Sequence, residues 1–382
     1  MNYKKFDVTY LSVDSIQEGV GSSQITPLIL GLAEKGKAVC LITFEKIMPP
    51  KELFEIFSKA GVVWIVKEFG RPGAIGGLAR LNILRRCVPK SAVLHGRSDV
   101  ATAAAILSGI AAPVLWDVRS LWSDQRLQIG TPGWNNLTAK AARALENLSS
   151  RKSSAMTTLT AAVVPILQQR HKRIPSIREV IPTCVQTSKF LPSPMPQGQI
   201  TCLLSGTFNN YYDINRMKQV LDEIRKSMDL FVIWARAGES PMESLGVGED
   251  LIITASHSEM PRLVQESHFG IAICKQDNLD SLAAAVPTKI GEFLASGRPV
   301  VVSNGIGDLD QMLTSTKTGV VVNQSDTLET ISSQLRGLID DPMTPDRCRA
   351  LAMQHFDMEK SVDRYLEIYD RMQHKTDFKS LS

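Results

Sequence analysis

The strongest constraint on this chain is a rhythm that runs, stops and restarts. Short β-branched runs alternate with longer amphipathic segments: FDVTYLSV, KAVCLITF, GVVWIVK, AVLHGRS, APVLWDVRS and SAMTTLT. Helical patterns separate them, at Ser22 to Glu34, Lys51 to Lys59 and Gly76 to Cys87. Runs of this kind, spaced by helices, predict a parallel sheet covered on both faces. Near Leu191 the composition changes: LPSPMPQGQ carries three prolines and a glycine and reads as a linker. The alternation then resumes with ITCLLS, DLFVIWARA, LIITAS, FGIAICK, RPVVVS and TGVVV. No aligned repeat relates the halves. The expectation is two doubly wound α/β domains, 1–190 and 191–357. A last amphipathic helix and tail, 358–382, is expected to pack back toward the first. Ligands of open α/β sheets bind at the carboxyl edges of the strands, so a cleft between two such edges is the expected site.

A length of 382 residues agrees with two domains at roughly 100–200 residues each. No apolar run is long enough for a transmembrane helix. The start, MNYKKFDVTYLSV, has signal-peptide spelling, but Asp7 interrupts it and a first buried strand fits better. Six scattered cysteines without C-x-x-C read as free thiols of a reducing cytoplasm, and the six histidines do not cluster with them. Neither a metal nor another cofactor is expected. Residues 1–190 hold 25 Lys/Arg against 13 Asp/Glu, while 191–382 hold 18 against 26. A basic half beside an acidic half points to an anionic partner for the first.

Five stretches carry candidate chemistry. In SVDSIQEGVGSSQ, Gly19 and Gly21 precede a helix opening at Ser22, Ser23 and Gln24. Glycines admit a close ligand and a helix N-terminus favours an anion. Gln24 stands where G-x-G-x-x-G needs its third glycine, and Glu45 is the nearest acid for a ribose. A dinucleotide loop, a plain capped loop and a substrate-touching loop all stay open. In HGRSDV, Arg97 and Asp99 lie at a strand-to-helix handover, with a helix-capping role for Asp99 equally open. In WDVRSLWSDQR, the charges Asp117, Arg119, Asp124 and Arg126 surround Trp116 and Trp122, suiting a sugar face or a structural Arg–Asp pair. Gly206 and Thr207 end the first strand of the second half, where backbone N–H groups could meet phosphate. Arg236, at the end of DLFVIWARA, joins that set.

The fifth stretch is VPTKIGEFLASGRPVVV, from Val286. Pro287 suits a helix start, and Thr288, Lys289 and Ile290 then form a first turn with free N–H groups. Lys289 there opposes the helix dipole unless an anion is bound. Glu292 shares its face three residues on. A surface Lys–Glu pair is the plain alternative.

PTKIGEFLASGRPVVVSNGIGD resembles the donor-binding segment of retaining glycosyltransferases of family four, which have the GT-B fold. GVGSSQ, HGRSDV, WDVRSLW, IPTCVQTSKF and HSEMPRLVQESHFGIAI resemble a bacterial branch of it, so the likeness spans nearly the whole chain. It implies two Rossmann-like domains facing a cleft, and transfer of a sugar from a nucleoside-diphosphate sugar to a hydroxyl, in cell-surface polysaccharide or glycolipid biosynthesis. By resemblance Glu292 grips the ribose hydroxyls, and Gly206, Thr207, Arg236, Pro287, Thr288, Lys289 and Ile290 complete a donor site. Asp117, Arg119 and Lys289 become catalytic candidates, with Arg119 where the family often has a histidine. Gly19, Gly21, Ser22, Ser23, Gln24, Arg97, Asp99 and Trp122 become acceptor-side candidates. The family's first glutamate falls on Ala284 and is missing, and its Arg–Lys phosphate pair has only Asn209, Asn210 and Arg216 nearby. Asp308-Leu309-Asp310 matches a metal-binding D-x-D in spelling alone. Implied partners are the nucleotide sugar and a sugar or lipid-linked acceptor, not nucleic acid. GLARLNILRRCVPK, from Gly77, carries Arg80, Arg85, Arg86 and Lys90 beside an apolar face, which suggests peripheral contact with an anionic membrane from the cytoplasmic side. A nucleotide-sugar epimerase and a non-catalytic nucleotide-binding subunit are the rival readings.

Overall fold

The computed structural model describes residues 6–17, 19, 21–128, 134–208, 211–236, 250–323 and 325–380, with side chains left aside at 74, 126–128, 134–137 and 375–380. Among these residues two all-parallel sheets form, one in each of two compact units.

The first unit holds β1 (Phe6–Leu11), β2 (Val39–Glu45), β3 (Val63–Glu68), β4 (Ser91–Arg97), β5 (Val114–Val118), β6 (Ala155–Thr158) and β7 (Ile177–Val180). Their order is β3-β2-β1-β4-β5-β6-β7. β2, β5 and β6 are buried at every position, as strands covered on both faces must be. β7 escapes the sequence reading because IREV is a short edge strand with charged residues in the middle. The order reverses between β1 and β4, so the crevice at their carboxyl ends is the natural ligand position.

The second unit holds β8 (Ile200–Gly206), β9 (Leu230–Arg236), β10 (Leu251–Thr254), β11 (Phe269–Ala272), β12 (Val300–Ser303) and β13 (Gly319–Val322), in the order β10-β9-β8-β11-β12-β13. Its switch point lies between β8 and β11. One core packs Met217, Leu221 and Ile224 of the helix Ile214–Ser227, and Leu335 of the helix Leu328–Asp340, against Leu204, Trp234, Ile271 and Val301 of the strands.

The first unit spans Met1–Ile181 and Met358–Ser382, and the second spans Pro182–Asp357. The junction thus falls before the 190/191 boundary read from the prolines. Hydrogen bonds explain the difference. The Ile181 N–H still donates to Thr158 O of the first sheet. Thr183 Oγ1 already donates to Val286 O at 2.6 Å, and the Val185 N–H donates to Phe356 O at 2.7 Å. The proline-rich segment is fixed rather than free: the buried Arg298 guanidinium donates to Ser193 O, Pro194 O and Gln265 O.

The last helix, Met358–Ser380, belongs to the first unit. Lys35 Nζ pairs with Asp363 at 2.7 Å, and Arg364 bonds Glu179 and Val180 O. Gly31 lies so close to Val362 that a Cβ there would come within 2.6 Å of its methyl.

Candidate functional site

At the β8/β11 switch point the sequence sends three features to one place. Gly206 ends β8 at φ +112, a conformation that favours glycine. Lys289 enters from the helix Thr288–Ala295, and its Nζ lies 3.5 Å from where a Cβ on Gly206 would sit. Arg236 stands beside Gly206 in register and donates from Nε to Thr254 Oγ1 at 3.1 Å. Thr207 is exposed, one residue on. Two aromatic residues of FNNYYDI flank the lysine: Nζ is 4.3 Å from the Tyr212 ring centroid and 5.8 Å from that of Phe208. That cation–π role was not read from the sequence, although the paired tyrosines after a strand end are its trace.

The helix is built for this position. Pro287 is its N-cap in extended geometry, and no side chain caps it. Ile290 donates its N–H to Pro287 O and buries its side chain in the core, so its part is packing. Lys289 is 8 % and Glu292 7 % exposed, and among the described residues neither side chain has a hydrogen bond or ion pair. The surface-pair alternative therefore fails. Burial pushes the Lys289 ammonium down to about 8, against the pull of Cys274 and Glu292. Burial pushes the Glu292 carboxyl up to about 7, with Lys289 opposing. A lysine and a glutamate buried on one helix without hydrogen bond or ion pair are costly for the protein alone and suit a ligand with phosphate and hydroxyl groups.

Other residues considered for this site serve the fold. The Arg216 N–H donates to Asp213, which caps the helix Ile214–Ser227, while its side chain bonds Gln219. Asn209 and Asn210 lie outside the described residues. Asp310 accepts from the Gly305 N–H, so the D-x-D spelling has a turn-holding role. Among the described residues no group of three His, Cys, Asp or Glu is placed to hold a metal.

The first unit gathers charge at its own switch point. Asp117, at the end of β5, accepts from Thr157 Oγ1 at 2.9 Å and lies 3.5 Å from Arg119 and 3.4 Å from His95 Nε2. Burial favours its neutral form, but Arg119, His95 and Arg97 outweigh that and hold its carboxyl well below the usual range. His95, pushed toward neutral by burial, shares a 2.7 Å hydrogen bond from Nδ1 with Tyr369 Oη of the last helix. Arg97 donates to Asp14 at 3.2 Å. The loop after β1 joins this cluster through Gln24, whose Oε1 accepts from Arg119 at 3.4 Å. Residues Gly21–Ile25 form a π-helical turn before the α-helix Thr26–Glu34. Gly21 presses on Ser15 O, and Ser22 and Ser23 donate to Gly19 O.

Asp99 and Glu45 have their partners outside this cluster. Asp99 is buried, accepts from Trp116 Nε1 at 2.9 Å, and is pushed up to about 8 by burial. Trp122 opens the helix Trp122–Gln128, and Asp124 behind it pairs with Arg170 and Arg143. Glu45, the nearest acid for a ribose, instead accepts from Ser15, the Ile16 N–H and Gln17, which fixes the loop after β1. The basic helix is Gly73–Cys87, and Arg80 is not on its solvent flank. Its guanidinium is buried over Phe69, donating to Phe69 O and Arg71 O. The solvent side carries Ile75 and Leu78, 77 % and 62 % exposed, while Arg86 and Lys90 of the basic set are exposed as well.

No family model and no curated protein sequence matches this chain. Solved structures do. A sucrose-phosphate synthase from Thermosynechococcus elongatus superposes with a TM-score of 0.70 at 13 % identity, covering 96 % of this chain and 98 % of the other. Anabaena HepE, crystallised with UDP-glucose, gives 0.67 at 13 % identity over 97 % and 99 %. WaaG, a glycosyltransferase involved in lipopolysaccharide biosynthesis, gives 0.64 at 13 % over 93 % and 98 %. With its two parallel-sheet units, the chain has the GT-B fold.

Proposed function

We propose that this chain is a glycosyltransferase that takes a sugar from a nucleoside-diphosphate donor held by the second unit. The carrying observation is the buried, mutually unpaired Lys289 and Glu292 at an uncapped helix start beside Gly206. In this reading the Lys289 side chain and the N–H groups of Thr288 and Lys289 meet the diphosphate, whose negative charge grows as the sugar–phosphate bond breaks. Glu292 accepts from the ribose hydroxyls. No protein nucleophile is invoked: the acceptor attacks on the face the diphosphate leaves, which retains configuration, as in the family-four enzymes the sequence resembles. The solved neighbours with UDP, UDP-glucose or a lipopolysaccharide role support a nucleotide sugar and a cell-surface product.

Calorimetry with UDP, GDP and ADP on wild type and Glu292→Ala tests the reading. Loss of charged hydrogen bonds to ribose should weaken the preferred nucleotide about ten- to a hundredfold. A folded variant with unchanged affinity would count against it. Ala284 is buried where the family resemblance places a glutamate, which favours a second reading, a nucleotide-binding subunit without turnover. Donor consumption with an acceptor panel decides between them.

The same reading includes docking of the first unit on an anionic membrane from the cytoplasmic side. Among the described residues no helix is long and apolar enough to cross a membrane. Ile47 and Met48 after β2, and Ile75 and Leu78 after β3, are exposed apolar residues that follow neighbouring strands, with Lys46, Lys51 and Arg71 exposed among them. Basic residues near an anionic surface contribute about 1 kcal/mol each. Liposome flotation should show binding that rises with anionic lipid, falls with salt and is lost in Ile75→Asp/Leu78→Asp. Binding indifferent to lipid charge would argue for a soluble acceptor.

A further inference from the structure

Two guanidinium groups lie buried at the carboxyl ends of β4 and β5, and one fully buried carboxylate answers them. Arg97 ends β4, Arg119 follows β5, and Asp117 lies between them. Asp14 also pairs with Arg97, but its side chain is 53 % exposed and its charge is shared with water. His95 is held toward neutral by burial, and burial likewise keeps the Tyr10 hydroxyl beside them neutral. The cluster is biased toward positive charge.

Arg119 is also short of acceptors. Its side chain is 9 % exposed, so water does little for its five donors. One terminal nitrogen lies 3.5 Å from Asp117 and another 3.4 Å from Gln24 Oε1, both long. The Nε–H is buried and meets no acceptor. A buried guanidinium left this way is costly unless something else completes it. Gln24 lies in the π-helical turn whose backbone is pressed against the preceding loop at Gly21, where a Cβ would fall 1.7 Å from Ser15 O. The result is an under-partnered donor fork against that turn.

Resting on the glycosyl-transfer reading for the nature of the ligand, we propose that Arg119, backed by Arg97, is the recognition site for an oxyanion on the sugar substrate of the first unit, a carboxylate or a phosphate ester. A guanidinium fork matches either group with two parallel hydrogen bonds. Asp117 is then a positioning residue that holds one edge of the fork. A neutral sugar would leave the charge buried and unanswered, so the site selects against it.

The test uses the full chain saturated with UDP and titrated with glucuronate, glucose 6-phosphate and glucose by calorimetry. A charged sugar should bind about tenfold or more tighter than glucose, and Arg119→Gln should erase that preference. Arg119→Lys, which keeps the charge and loses the fork, should keep part of it. Preference for glucuronate alone assigns a carboxylate, and for glucose 6-phosphate alone a phosphate. Equal binding of all three sugars, or a charge preference that survives Arg119→Gln, overturns the proposal. Should Arg119→Gln fail to fold, the wild-type exchange footprint decides: the charged sugar must slow amide exchange in 12–25 and 115–121, and protection confined elsewhere overturns it. UDP affinity reads the Lys289–Glu292 site separately. A chain that binds the charged sugar but no nucleotide keeps the oxyanion site and loses the donor reading.

Discussion

Lys289 and Glu292 are a pair in which each group is pushed toward its neutral form by burial, the lysine down to about 8 and the glutamate up to about 7. A diphosphate needs the lysine charged, and ribose hydroxyls bind best to an ionised carboxylate. Nucleotide affinity should therefore hold between about pH 7 and 8, falling below as Glu292 protonates and above as Lys289 loses its proton. Stability without nucleotide runs the other way. The folded glutamate keeps its proton above its unfolded value, so its contribution is full below the unfolded pKa and is lost as pH rises to about 7. The folded lysine gives up its proton early, so stability is regained as pH rises above about 8. Melting temperatures without nucleotide should show a shallow minimum near neutral pH, where calorimetric affinity is greatest. Coincident maxima of stability and affinity would contradict this account. These two residues were legible in the sequence because charge inside an apolar helix is conspicuous. The acids Asp99 and Glu45 were not, because their ordinary partners, Trp116 and Ser15, are not readable from their own segments.

The helix Thr288–Ala295 holds its charged pair where it does because β11 carries a glycine beneath it. A Cβ on Gly270 would lie 2.3 Å from the Phe293 ring. Gly270→Ala should therefore push Phe293 and its helix off the sheet, at a cost of about 1–3 kcal/mol for overpacking. If that helix carries the ligand groups, UDP affinity should fall along with the melting temperature. A lower melting temperature with unchanged affinity would detach the helix from binding. Elements of this kind were legible wherever apolar periodicity was strong: Lys51–Lys59 and the buried strands follow their patterns closely. The π-helical turn Gly21–Ile25 was not, since an extra residue in one turn leaves the apolar stripe almost unchanged and shows only in the contact of Gly21 with Ser15. The helix Gly73–Cys87 shows the opposite limit. Its amphipathic pattern was plain, yet which side faces the core depends on Phe69 and Arg71, which hold Arg80 inside.

At the scale of the molecule, the chain leaves its first unit at Ile181 and returns at Met358. The return is not an appendage. Val362, Tyr365, Ile368, Tyr369 and Met372 are all buried, and Tyr369 supplies the hydrogen bond at His95 Nδ1, 274 residues away in sequence. A separation of that size cannot be read from local pattern; the two tyrosines four apart on one helix face are its only trace. Burying side chains of this size contributes about 1.5–3 kcal/mol each. Five of them together match the whole stability of about 5–15 kcal/mol expected of a domain. A chain ending at Asp357 should consequently lose the first unit and keep the second, whose own core lacks this helix. Hydrogen exchange on the shortened chain should show rapid exchange through β1, β4 and β5 with protection retained in β8, β11 and β12. UDP binding should survive with its affinity little changed, since Lys289, Glu292, Gly206 and Arg236 all belong to the second unit. Persistent protection of β4 and β5 would show that the last helix merely decorates a fold complete without it. Loss of UDP binding together with a protected second unit would mean that the nucleotide needs more than the residues gathered at the β8/β11 switch point.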